Sequence, residues 1–86
     1  LVATYEDELV SLSWEESAGA QRYGVYVKKG SNGTWKVLGE SESTTYVHPN
    51  AEADTKYYYR VVPCYDKDGK TYYGEFDYNG VDVQVD

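Results

Sequence analysis

The chain has 86 residues, so it is expected to form one domain near the lower end of the size that folds alone, burying about 60–65% of its unfolded surface. Its 15 acidic residues against 8 basic ones leave a net charge of −7, which repels phosphate backbones and anionic lipid headgroups and argues against a nucleic-acid or membrane-surface partner. The single cysteine, Cys64, excludes an internal disulfide, no apolar run approaches the roughly 20 residues a membrane helix needs, and no charged-then-apolar signal opens the chain.

The predicted elements are short and even. Residues 9–14, LVSLSW, alternate with period 2, which places Val10, Leu12 and Trp14 on one face of a half-buried strand. EESAGAQ at 15–21 is small and polar and reads as a turn. RYGVYVKK resumes the alternation, with Tyr23, Val25 and Val27 on one side and Gly24, Tyr26 and Lys28 on the other. GSNG at 30–33 is turn chemistry, and Asn32-Gly33 predicts a type I′ turn because both residues accept positive φ cheaply. TWKVLG and STTYVH follow as further short strands bounded by polar residues or glycine. No apolar residues recur at helical spacing, so the chain reads as all-β, with about seven antiparallel strands in a sandwich.

The segment YYYRVVPCY at 57–65 suggests either an aromatic strip or one strand whose tyrosines alternate. Its period decides for the strand. Tyr57, Tyr59, Val61 and Pro63 face one way, and Tyr58, Arg60, Val62 and Cys64 the other. Arg60 marks the second face as outer, since an unpaired buried guanidinium is very costly. Tyr57 and Tyr59 are therefore core, and Tyr58 is the surface aromatic of the run.

These residues carry a resemblance. Trp14 closing a strand, Gly19-Ala20 ahead of Tyr23-x-Val25, the run Thr55-x-Tyr57-x-Tyr59-x-Val61 and the closing GVDVQV together resemble a fibronectin type III domain. With DGKTYYGEF at 68–76, the likeness is to the kind found in secreted and surface proteins of Gram-positive bacteria. It covers nearly the whole chain. It implies a seven-stranded immunoglobulin-like β-sandwich with Trp14, Tyr23, Val25, Tyr57, Tyr59 and Val61 in its core. It also implies that Tyr57 forms a tyrosine corner, its hydroxyl returning to the backbone a few residues upstream. Ala51 and Ala53 depart from the family, which usually has leucine and often proline there, so the loop either packs more loosely or has a neighbouring aromatic filling the gap.

Candidate sites for chemistry are thin. Glu15 and Glu16 point apart at a strand end and read as a solvated turn. His48 and Cys64 are single residues of their kinds, and the resemblance places His48 in a loop before Pro49 and Cys64 on an outer, partly covered face, out of reach of each other. Asp66, Asp68, Glu75 and Asp77 suggest a calcium loop, but counting from Asp66 the glycine falls at the fourth place instead of the sixth and Lys70 takes the fifth ligand position. A hairpin turn at Asp68-Gly69 explains the same residues. Asn32-Gly33-Thr34 matches a glycosylation acceptor, which a bacterial source would leave bare. No metal or other cofactor is expected.

The aromatic surplus is the richest signal, with 11 tyrosines and 2 tryptophans. Tyr26, Trp35 and Tyr58, with Tyr72 and Tyr73, fall outside or near an edge. If the first three shared a sheet face they would stack on sugar rings, or serve a protein partner. Alternatively, cross-strand aromatics pack on one another and on the stems of Lys28 and Arg60. The expected function is a monomeric, non-catalytic spacer of an extracellular multidomain protein, with neighbouring domains of the same chain as its partners. The rival is a carbohydrate- or protein-binding module using Tyr26, Trp35 and Tyr58. Because the chain begins at Leu1 and not Met, residues 1–86 are expected to be one domain cut from a longer protein.

Overall fold

The computed structural model describes residues 1–7, 9–48, 51–74 and 80–85. Among these residues there is no helix, and the strands are β1 (Val2–Glu6), β2 (Leu9–Ser13), β3 (Arg22–Lys29), β4 (Lys36–Ser41), β5 (Thr45–His48), β6 (Thr55–Lys67), β7 (Lys70–Tyr73) and β8 (Val81–Val85). One sheet has the order β1-β2-β5, and the other β4-β3-β6-β7 with β8 also on β6. Every pairing is antiparallel. The expected seventh strand is present in two pieces. Cys64 pairs with Tyr73 and Tyr59 with Val81, the two pieces flanking residues 75–79, which lie outside the described residues.

Period 2 dictates what lies inside. In β2 Val10 and Leu12 are buried while Leu9, Ser11 and Ser13 are exposed. In β6 Tyr57 and Tyr59 are buried while Tyr58 and Arg60 are half-buried on the far side. Val10, Leu12, Val25, Tyr57, Tyr59 and Val85 form the central cluster between the sheets, with Trp14, Val27 and Val61 packed at its margin. Each large apolar side chain buried there stabilises the fold by about 1.5–3 kcal/mol.

The directions of the outer strands follow from the registers. Val2 opens β1 opposite Ser13, beside the Trp14–Tyr23 ring pair at 5.5 Å. Val85 closes β8 opposite Thr55. Tyr23 pairs with Pro63 and Lys29 with Tyr57, so the start of β3 lies near the end of β6 and the two ends of the sandwich are distinct. β1 therefore begins at one end and β8 finishes at the other, in a molecule whose longest dimension is 44 Å.

Several expectations are corrected. The connection from β3 to β4 is not a two-residue type I′ turn. Gly30 carries the positive φ of 75°, the Gly33 amide donates to the Gly30 carbonyl at 3.1 Å, and Trp35 precedes β4 instead of lying in it. Trp14 lies just beyond β2 and is half-buried, with its backbone amide bonded to the Thr44 carbonyl at 3.0 Å. Val61 is half-buried too, because it lines a cleft with Trp14, Tyr23 and Pro63. His48 is the last residue of β5 instead of a loop residue; Pro49 lies outside the described residues. Cys64 is 2% exposed, not at the surface. Its cross-strand partner is Arg22, whose guanidinium is hydrogen-bonded to Asp66 and to Thr71 Oγ1 (3.3 Å) and is paired with Glu40 (3.4 Å).

Candidate functional site

β3 and β6 present alternate residues to the outer face of the five-stranded sheet. The register sets Tyr26 opposite Arg60 and Lys28 opposite Tyr58, so ring and cation face each other across the strands in both pairs. Arg60 lies over the Tyr26 ring at 5.4 Å and over Trp35 at 4.5 Å. Lys28 lies over Trp35 at 5.0 Å and over Tyr58 at 4.9 Å. Lys56 lies over Tyr58 at 5.8 Å and pairs with Asp82 at 3.2 Å. The result is a continuous row in which aromatic and cation alternate: Tyr26, Arg60, Trp35, Lys28, Tyr58, Lys56.

Local structure explains how the rings reach this row. Tyr26 lies back along β3, close enough that a Cβ on Gly24 would sit 3.3 Å from its ring. Trp35, freed from β4 by the longer connection, crosses the sheet as far as Gly80, where an added Cβ would meet its ring at 3.1 Å. Each cation–π contact contributes about 0.5–1 kcal/mol at an exposed site. The hydrogen bond to Asp82 is the main reason the Lys56 ammonium is held above its ordinary value.

The structure thus brings together Tyr26, Trp35 and Tyr58, the three residues read from the sequence as a ligand face. It inserts cations between them, however, so they do not form a continuous bare aromatic platform. The sequence reading used Lys28 as a packing stem, used Arg60 as a packing stem and as the mark of the outer face, and passed over Lys56. The available signal was parity, since 26 and 28 share one face of β3 while 56, 58 and 60 share one face of β6. Tyr72 and Tyr73 are exposed on β7, outside the row.

Elsewhere the polar groups are turned to the fold. Tyr57 is buried and its hydroxyl accepts the Glu52 amide at 2.9 Å, which is the tyrosine corner the resemblance implies. The Tyr23 hydroxyl accepts the Ser17 amide at 2.8 Å and closes the β2–β3 loop in the same way. His48 Nδ1 is 2.7 Å from the Tyr59 hydroxyl, and its ring meets Tyr57 and Tyr59 edge-on at 5.2 and 5.7 Å. The His48 ring therefore packs on both tyrosines, and Ala51 packs against the core cluster that contains them. Burial pushes the His48 pKa down and the Tyr59 pKa up. Asp66 is held below the usual carboxylate range, first by the Thr71 hydroxyl and then by Arg22. Asp68 and Gly69 both have positive φ, 52° and 77°, as a type I′ hairpin between Lys67 and Lys70 requires. Glu75 and Asp77 lie outside the described residues. A cleft of about 540 Å³ at the open end is lined by Trp14, Tyr23, Val61 and Pro63, with Glu15 and Arg60 at its polar margin. Among the described residues no three metal-ligating side chains come together.

No family profile matches the chain, and no curated protein matches it. Among solved structures it is similar to the twitchin kinase region from C. elegans, described as Fn31-NL-kin-CRD-Ig26, with a TM-score of 0.72 and 20% identity. The match covers 95% of this chain and 15% of that one. The fold is an immunoglobulin-like, fibronectin type III β-sandwich. The likeness at this identity is one of fold, and it is to one module within a multidomain chain.

Proposed function

We propose that the domain is a non-catalytic accessory module that holds neighbouring domains of the same chain apart, as a monomer, in a secreted or cell-surface bacterial protein. The observation that carries this reading is that β1 begins and β8 finishes at opposite ends of a sandwich 44 Å long. A chain entering through the first strand and leaving through the last is displaced by the length of the module. The likeness to one unit of a multidomain chain supports it, and the bacterial, extracellular setting rests on the resemblance in residues 68–76. The absence of an enzymatic role is supported by the engagement of the obvious reactive groups. His48 is bonded to Tyr59, while Cys64 is buried and its thiol is pushed up by desolvation. The net charge of −7 keeps an array of such modules soluble and mutually repelling.

The test is single-molecule energy transfer between two small folded reporter domains fused to the two ends. Mean separation alone does not decide, since a flexible Gly/Ser linker of the same length spans about 46–56 Å r.m.s.. The width of the distribution does. A spacer gives one narrow peak that broadens only when the module unfolds, whereas a distribution as broad as that of the Gly/Ser linker overturns the reading.

A further inference from the structure

The connection between β3 and β4 holds the one Asn-Gly pair whose two residues both lie among the described residues, Asn32-Gly33. Ser31, Asn32, Gly33 and Thr34 are all exposed. The turn is tied at its base by the Gly30 amide, which donates to the Lys56 carbonyl at 2.8 Å, and across its neck by the Gly33 amide, which donates to the Gly30 carbonyl at 3.1 Å. Glycine is obligatory at position 33, since a Cβ there would collide with the Lys29 carbonyl oxygen. Asparagine is not obligatory at 32. Its φ is not positive, and among the described residues nothing is hydrogen-bonded to its carboxamide.

We infer that Asn32 is a site of spontaneous deamidation, which makes this loop a slow, irreversible switch on the position of Trp35. The Gly33 backbone nitrogen attacks Asn32 Cγ. The N–Cγ bond forms, the Cγ–Nδ2 bond breaks, and the proton of the Gly33 amide leaves with Nδ2 as ammonia. Water then opens the cyclic imide at either carbonyl. Opening at Cγ gives aspartate, whereas opening at the Asn32 backbone carbonyl gives isoaspartate, in which the main chain runs through the former side chain. Two features of the turn favour the first step: Gly33 presents no Cβ to obstruct the attack, and the carboxamide has no bond to give up. The fold adds one requirement, release of the Gly33 amide from the Gly30 carbonyl. A single hydrogen bond at an exposed turn is worth at most about tenfold in the rate.

The consequence falls on the neighbouring row. The Gly33 backbone lies against the Lys28 stem, where an added Cβ would be 3.1 Å from Lys28 Cγ. Trp35, two residues further on, is held by Lys28 at 5.0 Å and by Arg60 at 4.5 Å. Deamidation places a carboxylate one residue from the Gly33–Lys28 contact, and that carboxylate competes with the ring face for the Lys28 ammonium. Isoaspartate also adds an atom to the main chain between the Gly30 anchor and Trp35, so the loop no longer fixes how far the indole reaches across the sheet.

The inference goes beyond the spacer reading and does not depend on it, because its readout is a covalent change and not a separation. The experiment is incubation of the parent protein at 37 °C and mildly alkaline pH, native and in urea, followed by peptide mapping with mass spectrometry. Asn32 is expected to gain the mass difference between an amide and an acid, with isoaspartate told from aspartate by its electron-transfer fragments. The native rate should fall within about tenfold of the rate in urea. A larger slowing overturns the proposal, since the turn would then open only with a larger part of the fold. So does loss of an amide at Asn50 or Asn79 with Asn32 left intact. Asn32→Gln should keep the melting curve of the parent and stop the reaction at this position. The Trp35 indole N–H resonance of the converted protein should move while that of Trp14 stays in place. Asn32→Asp, which supplies the charge without the added atom, should reproduce only part of that movement. An unmoved Trp35 signal in protein fully converted at Asn32 overturns the switch.

Discussion

Removing the Tyr57 hydroxyl tests the corner that joins the two sheets. Tyr57→Phe keeps the ring, which is 6% exposed, and deletes only the acceptor for the Glu52 amide at 2.9 Å. A hydrogen bond of this kind contributes about 0.5–1.5 kcal/mol net, and a fully buried orphan donor costs about 1–3 kcal/mol. Glu52 is exposed, so water takes over part of its amide, and the expected loss is about 1 kcal/mol. In a domain of 86 residues that corresponds to a fall in Tm of about 4–8 °C. Thermal and urea unfolding followed by circular dichroism measure it, with an unchanged m-value showing that the same surface is exposed. Hydrogen exchange gives a second reading, since the Glu52 amide should lose its protection. Tyr58→Phe, at the half-buried outer position next in sequence, should change Tm by less than about 2 °C. If Tyr57→Phe melts with the parent and the Glu52 amide remains protected, the bond does not hold the corner and the reasoning fails.

Three further outcomes are expected. Tyr59→Ala empties a fully buried site between the sheets and should cost about 3–5 kcal/mol, whereas Trp14→Ala, at a half-buried position, should cost less; equal losses on denaturant titration would contradict the burial of the two rings. Stability should have two pH-dependent arms. The folded pKa of His48, the only histidine, lies below its ordinary 6.5, so its contribution is present above pH 6.5 and is lost as pH falls through the folded value. That of Tyr59 lies above its ordinary 10.0, so its contribution is present below pH 10 and is lost as pH rises through the folded value. Melting curves from pH 5 to 11 should show His48→Gln flattening the acid arm and Tyr59→Phe the alkaline one, and unaltered arms would refute the assignments. Cys64 should react with a thiol reagent at least about a thousandfold more slowly in the native protein than in denaturant, since its exposure requires opening worth about 5 kcal/mol or more; comparable rates would place it at the surface.

The sequence by itself determined the inside and the outside of most strands. A side-chain period of 2 is a local property of extended backbone, so Val10 and Leu12, Tyr23 and Val25, and Tyr57 and Tyr59 could be assigned to one face without knowing their partners. The Asp68-Gly69 turn was legible for the same reason, because positive φ is a property of single residues. Parity failed where a neighbouring element covers a face. Cys64 has the parity of Arg60 yet is buried, because Arg22 from the adjacent strand is bonded to Asp66 and Thr71 beside it. The cation–aromatic row was the part of the candidate site that only tertiary structure decided. Tyr26, Trp35 and Tyr58 were visible one at a time, but which cation lies over which ring depends on the β3–β6 register and on Trp35 leaving β4. Register comes from pairing between residues thirty or more positions apart, Tyr26 with Arg60 and Lys28 with Tyr58, and a one-residue slip would turn each of them to the opposite face. A local pattern can specify alternation, but only the folded sheet brings the two alternations into phase.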